Sequence, residues 1–525
     1  MTEKPMNEAR ERDASRSDLD CGRRSFGMRL LDGIERAGNR LPHPATIFAV
    51  LAAAVLVLSW LLHRFGAEAV HPGTGETIRT MNLLGRDGLR FLFSSVTDNF
   101  VLFPPLGIVL VAMIGIGVAE GSGLITALLR HIVLAAPKRL ITIAVISAGI
   151  LSHLASSVGY VVLIPLGAIV FAAFKRHPLA GIAAAFCGVS GGFGANFLIG
   201  SIDPILSGMT QSAANIIDPS MQISPAVNYY FMFASAVMIV AVGTWVTERW
   251  VEPRLGPCAE GLPGLDKVEP HEKRGLAFAA LSALALVAAL LIMTVPAGGI
   301  LRDPATGSLL HSPFMNGLIT AILLFFLVPG LVYGIAVGTI RSDKDAVKHM
   351  TASMGGLAGY IVLVFFAAQF VYYFKESNIG ILLAIRGAEF LRSLGFTGIG
   401  LLVSFVALSA FINLFMGSCS AKWAIMAPIF VPMFMLLGYH PAITQAAFRI
   451  GDSVTNIVTP MMSYFALIVS FMHKYEKNAG LGTLIAMMLP YSVALTIAWL
   501  ALLAVWMLIG LPLGPGAPIH LPGAP

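Results

Sequence analysis

The chain has 525 residues, 57% of them hydrophobic and only 12% charged, with a mean hydropathy of +0.81; soluble proteins carry about 25% charge, so this composition reads as a polytopic membrane protein and not a soluble domain. The formal net charge is +6, but much of the basic excess lies in short loops between apolar runs, which points to membrane topology and away from nucleic-acid binding. Cys21, Cys187, Cys258 and Cys419 show neither metal spacing nor a disulfide framework, and no cofactor is expected.

Residues 1–44 read as a cytoplasmic N-terminal tail: the first 40 hold eight arginines interleaved with acids and lack the apolar core of a signal peptide. A single membrane domain is expected over 45–511, followed by a C-terminal tail over 512–525. Pro42 and Pro44 introduce a first span at 45–62, long enough for a core of about 30 Å. Residues 63–97 read as an extracytoplasmic loop, and 100–118 as a second span. Two apolar runs at 123–135 and 140–152, parted by Pro137-Lys138-Arg139, are too short to count as independent spans. Further spans are expected at 228–247, 275–295, 314–338, 351–374, 396–412 and 484–510. The basic stretches 248–274 and 341–348 are assigned to the cytoplasm.

Sliding the chain on itself by 263 residues brings two regions into register: Ser157 meets Ser420, Pro165 meets Pro428, His177-Pro178 meets His440-Pro441, and Gly188 meets Gly451. The duplicated regions run over about 99–225 and 346–473. Lys175-Arg176 precedes the first His-Pro, whereas Gly438-Tyr439 precedes the second, so the two turns face opposite sides and the repeats are inverted. Residues 161–174 and 424–437 are 14 residues each, too short at 1.5 Å per residue to cross the bilayer. Each is expected to form the returning arm of a re-entrant helical hairpin whose tip carries a Ser cluster. The predicted fold is all-α, with about nine transmembrane helices and two such hairpins.

Inverted repeats with Gly-interrupted segments in matching places point to a secondary transporter with its site near the midplane. Four groups should converge there: Ser156 and Ser157; the break ending at Asn196; Ser418 and Ser420; and the break ending at Asn456. A charge costs about 3 kcal/mol at the bilayer centre, which makes Asp203 and Asp452 candidates for the coupling ion, H⁺ or Na⁺. A Na⁺ site is placed near Ser157, Ser420 and Asp452. Arg449 either pairs with a substrate carboxylate or forms an ion pair with Asp452 three residues on. Lys422 is either an anion contact or an apolar stem with its head in water. Trp423 either offers a face to an aromatic ligand or packs. Pro441 and Pro460 read as hinge or helix-start positions, and His177 and His440 as capping or loop residues and not a proton relay.

Asn413 with Gly417-Ser-Cys-Ser-Ala-Lys-Trp423-Ala-Ile-Met-Ala-Pro428, then Arg449-Ile-Gly-Asp452-Ser-Val-Thr-Asn456 and Thr459-Pro460, resembles the p-aminobenzoyl-glutamate transporter (AbgT) family. Leu41-Pro-His-Pro44 and Gly200-Ser-Ile-Asp203-Pro204 extend the resemblance over nearly the whole chain. It implies a homodimer in the bacterial inner membrane, with nine spans and two hairpins per protomer. It also implies ion-driven movement of p-aminobenzoyl-glutamate or of p-aminobenzoate-like drugs such as sulfonamides. Its functional positions fall on Asp203, Asn413, Ser420, Trp423, Pro441, Arg449, Asp452 and Pro460. The expected partners are therefore a small aromatic carboxylate, the lipid bilayer and a second protomer. The alternative class is a channel with re-entrant loops. An intramembrane enzyme is disfavoured, since no His-Glu-x-x-His motif occurs and the Ser clusters lack a paired base.

Overall fold

The computed structural model describes residues 42, 44–70, 75–154, 159–256, 269–296, 298–308, 312–395, 397–460, 462, 464–477 and 479–521. The Arg-rich tail, Ser156 and Ser157 lie outside the described residues. Among those described, eight helices are long and apolar enough to cross a membrane, or nine if one bent pair counts as a single span.

A scaffold and a core can be told apart by their packing. The scaffold begins with α1 (Pro44–Arg64), a short antiparallel β-hairpin of β1 (Glu68–Val70) and β2 (Thr77–Arg79), then α2 (Arg86–Val101) and α3 (Pro104–Gly121). The expected loop at 63–97 is thus partly helix. Arg86, Asp87, Arg90 and Asp98 hide that helix from a hydropathy reading, yet its Asn99 is buried and donates to Gln369 Oε1 at 3.0 Å. Pro104, which has no N–H to give, breaks the span between α2 and α3.

The first repeat follows. Helix α4 (Leu124–Ala135) meets the segment Lys138–Leu154, which contains α5 (Ile141–Leu151), at 118°. A π-helical turn at Gly159–Leu163 leads into α6 (Ile164–Ala173), then α7 (Pro178–Phe186) with a second such turn at Cys187–Gly191, and α8 (Ile202–Ala214). Next come α9 (Tyr229–Val246), α10 (Pro270–Thr294), α11 (Leu318–Val337), α12 (Asp343–Gly356) and α13 (Ala358–Glu376), of which α11 to α13 pack with α1 and α3, and α10 with α11, to complete the scaffold. The second repeat contains α14 (Ile379–Ser393), α15 (Gly398–Asn413), α16 (Cys419–Leu436), α17 (Pro441–Asn456) and α18 (Phe465–Met472), and the chain closes with α19 (Leu481–Ile509).

The 263-residue offset reappears in these boundaries: α7 and α17 start on Pro178 and Pro441, α8 and α18 on Ile202 and Phe465. Both prolines occupy the first helical turn, where the missing N–H costs nothing. The histidine before each caps its helix, His177 accepting from Leu179 N and His440 from Ala442 N.

Side-chain pairs fix the hairpin geometry. Phe448 and Asp452 of α17 bond in order to Ser409 and Asn413 of α15, and Thr459 just beyond bonds to Leu414, so α15 runs parallel to α17. Helix α16 runs the other way, with Trp423 against Phe448 and Lys422 against Asp452. The arms α15 and α16 are therefore antiparallel and meet at a tip over 414–418. The sixteen residues of α15 rise about 24 Å, short of a full crossing of about 30 Å. The region expected as a span at 396–412 is thus the entering arm of this hairpin. In the first repeat α5 lies parallel to α7, with Gly188 on Ile146 and Gly192 on Ile150, while Gly167 of α6 crosses Gly181 in the opposite sense.

The repeats meet in opposite directions. Helix α8 is antiparallel to α17, Asp203 facing Arg449 and Thr210 facing Gln445. Residues 512–521, expected as a tail, are packed instead: Leu513 O accepts from Phe231 N, Ile519 O accepts from His440 N, and Leu521 N donates to Gly438 O.

Candidate functional site

Helix α17 carries the centre. Its apolar side packs into the core, and Arg449, Asp452, Ser453 and Asn456 are all buried. Isolated ions in such a place would cost several kcal/mol each, so the question is what satisfies them.

Two crossed ion pairs do so. Arg449 Nη2 donates to Asp203 Oδ1 at 2.6 Å and its Nε to the Gly194 carbonyl at 3.0 Å. Asp203 stands in the first turn of α8 and also accepts from Gly200 N at 2.7 Å through Oδ2, where the helix dipole favours a carboxylate. The second pair is Lys422 with Asp452 Oδ1, and the Lys422 ammonium also donates to Asn413 Oδ1. Asn413 Nδ2 in turn reaches Asp452 O at 2.7 Å and Asn456 Oδ1 at 2.8 Å, while Asn456 Nδ2 donates to Asp452 Oδ2 at 3.1 Å. Two cations and two anions thus form a neutral centre assembled from both repeats.

Two expectations are corrected by this arrangement. Arg449 does not pair with Asp452 on its own helix, because each finds a better-placed partner on another element. Lys422 does not send its head to water: it is fully buried, and the Asp452 carboxylate in direct contact with it holds it there.

The other predicted residues divide. Trp423 is fully buried, its ring 4.5 Å from that of Phe448 and its indole N–H on Leu206 O and Thr210 Oγ1; in this conformation both faces and the polar edge are occupied by the protein. Ser418 caps α16 by accepting from Ala421 N, and its hydroxyl lies 3.4 Å from that of Ser420 at the hairpin tip. Asn196, in the break between α7 and α8, accepts from Phe197 N and so shapes its own turn. Pro441 opens α17 and Pro460 sits in the break after it.

Sequence reasoning missed Lys422 as a structural centre, although a lone lysine inside an apolar run, nine residues after Asn413, was the available signal. It also missed the chain Thr210, Gln445, Asn228, in which Thr210 Oγ1 donates to Gln445 at 2.5 Å and Gln445 Nε2 to Asn228 at 2.6 Å. Ser453, whose hydroxyl accepts from Gly194 N at 2.6 Å, ties the two broken helices together. Among the described residues no three His, Cys, Asp or Glu side chains gather as a metal site.

One donor stands out. Arg449 Nη1 is buried and has no hydrogen-bond partner among the described residues, although the other guanidinium contacts are short and well aimed. Such an orphan is costly unless something else meets it.

Two opposed repeats, each with a re-entrant hairpin and an interrupted helix, converging on buried charges, define a membrane transporter. A sequence profile of the AbgT transporter family matches residues 29–521, and the chain belongs to that family. It is 40% identical over 489 residues to the p-aminobenzoyl-glutamate transport protein of Escherichia coli (strain K12), covering 93% of this chain and 96% of that one. Its fold is similar to that of the YdaH transporter of Alcanivorax borkumensis, with a TM-score of 0.86, 44% identity, 90% of this chain and 100% of that one covered. MtrF of Neisseria gonorrhoeae, described among a class of antimetabolite efflux pumps, gives a TM-score of 0.87 and 47% identity over 93% of this chain and 100% of that one.

Proposed function

We propose that the chain is a secondary transporter of the bacterial inner membrane. It couples an ion gradient to the movement of p-aminobenzoyl-glutamate or related aromatic acids, sulfonamide antimetabolites among them. It works as a homodimer with its N-terminus in the cytoplasm. The observation that carries the reading is Arg449: Asp203 and the Gly194 carbonyl hold its guanidinium in place while Nη1 is left to donate, a geometry suited to a carboxylate or sulfonyl oxygen.

The coupling ion acts at Asp452. Its carboxylate already bears one cation, Lys422, so a proton or Na⁺ arriving there competes with the ammonium and loosens the contact between hairpin arm α16 and α17. A Na⁺ would complete its shell from hydroxyls and the carbonyls freed by the helix breaks, with Ser420 and Ser157 as the nearest sequence candidates. Trp423, packed between α8 and α17, moves with that contact and sets the fit for an aromatic ring.

The test is flux of radiolabelled p-aminobenzoyl-glutamate and of a sulfonamide in proteoliposomes under imposed Na⁺ and proton gradients of either sign. Saturable accumulation against the substrate gradient, abolished when the ion gradient is collapsed, is the expected result. Flux that only runs downhill and never saturates would overturn the reading.

A further inference from the structure

A groove of about 550 Å³ lies between α4, α10 and α11. Its walls are apolar, among them Leu128 of α4, Ala280 and Ala283 of α10 and Phe325 of α11, and its inner end reaches Leu154 and Leu198. Leu154 ends the segment Lys138–Leu154 of the first repeat, and Leu198 lies in the break between α7 and α8. The groove thus runs from scaffold helices to the elements that hold the transport site.

One end differs in chemistry. His131 and Lys273 stand there, both exposed, and neither side chain has an ion-pair or hydrogen-bond partner among the described residues. The neighbouring Arg130 is already neutralised by Glu272. From Lys273 to Ala283, α10 rises about 15 Å, the depth of one leaflet of a core of about 30 Å. Beside the groove α10 turns exposed Leu281 and Leu284 outward, so the opening is to lipid.

We propose that this groove binds one anionic phospholipid. Its phosphate sits against Lys273 and His131, and one acyl chain fills the slot between α10 and α11 with its end on Leu154 and Leu198. The charge at the rim, the apolar walls and the one-leaflet depth match the two parts of such a molecule, and basic pockets between membrane helices on one face recognise anionic headgroups in this way. The lipid touches scaffold and core together, so its presence bears on how the first hairpin moves.

Native mass spectrometry of the full-length protein in detergent, supplied with phosphatidylglycerol or phosphatidylcholine, tests this. The wild type is expected to retain phosphatidylglycerol about fivefold over phosphatidylcholine, a lysine near a headgroup being worth roughly a factor of five. Lys273→Glu should lower phosphatidylglycerol retention about tenfold and leave phosphatidylcholine unchanged. Ala280→Trp, which fills the slot, should lower both while size-exclusion elution stays that of the wild type. Equal retention of the two lipids by the wild type, or unchanged phosphatidylglycerol in Ala280→Trp, overturns the proposal. So does dissociation of an oligomer by Ala280→Trp without lipid loss, since the occupant is then a second protomer. If Lys273→Glu fails to fold, Lys273→Ala carries the same comparison with a smaller loss.

Discussion

At the scale of single residues, the pairing of Lys422 with Asp452 changes what a substitution would report. Asp452→Asn removes the coupling carboxylate and also strands a buried ammonium, and breaking one side of a buried pair costs about 3 to 5 kcal/mol. We expect that variant to melt at a lower temperature in detergent, whereas Lys422→Met combined with Asp452→Asn recovers much of the lost melting temperature yet shows no ion-driven accumulation. If the double variant still accumulates substrate, Asp452 has no part in coupling. Trp423→Phe keeps most of the ring and loses the single indole N–H shared between Leu206 O and Thr210 Oγ1 of α8, a loss of about 0.5 to 1.5 kcal/mol. Trp423→Ala opens a cavity worth about 3 to 5 kcal/mol. Substrate affinity measured for the two by calorimetry tells packing from contact: if Trp423→Phe binds as tightly as wild type, the indole N–H serves only to join α16 to α8.

At the scale of elements, Gly188 and Gly451 let a hairpin arm lie against the helix that follows. A Cβ on Gly188 would run into the Ile146 carbonyl, and one on Gly451 into that of Val406. Both contacts are backbone, which cannot swing aside, so Gly188→Ala and Gly451→Ala should each destabilise by about 1 to 3 kcal/mol or more. Melting curves that match the wild type would mean the arms have room to separate. This crossing was partly legible: the repeat, the capping histidines, the short returning arms and the Gly breaks could all be read from spacing. The partners of the charges could not. Periodicity places Arg449 and Asp452 on one helical face, but Asp203 and Lys422 lie on other elements, 246 and 30 residues away in sequence, and only tertiary packing decides between a local and a distant partner. Helix α2 was missed for a related reason, since its polar side turns to solvent while its one buried Asn pairs across to Gln369. Ser156 and Ser157 lie outside the described residues, and their part in the site rests on the repeat.

For the whole molecule, the C-terminal segment is a structural member. Residues 512–521 reach α9 through Leu513 and the turn before α17 through Ile519 and Leu521. Removing everything after residue 511 should lower the melting temperature and expose the Gly438 to His440 turn to limited proteolysis; unchanged protection there would show that the turn stands without it. The matching turn of the first repeat is held by different chemistry. Arg176 forks onto Glu252 at 2.9 and 2.5 Å, bonds Thr142 at 2.7 Å, and lies 4.2 Å over the ring of Phe171. One half is therefore fastened by side-chain charge and the other by a strand-like seam of main-chain bonds from the far end of the polypeptide. Glu252→Gln loosens only the former and shortening the chain only the latter. The order in which the two hairpins are released during a transport cycle is thereby open to direct dissection, one fastening at a time.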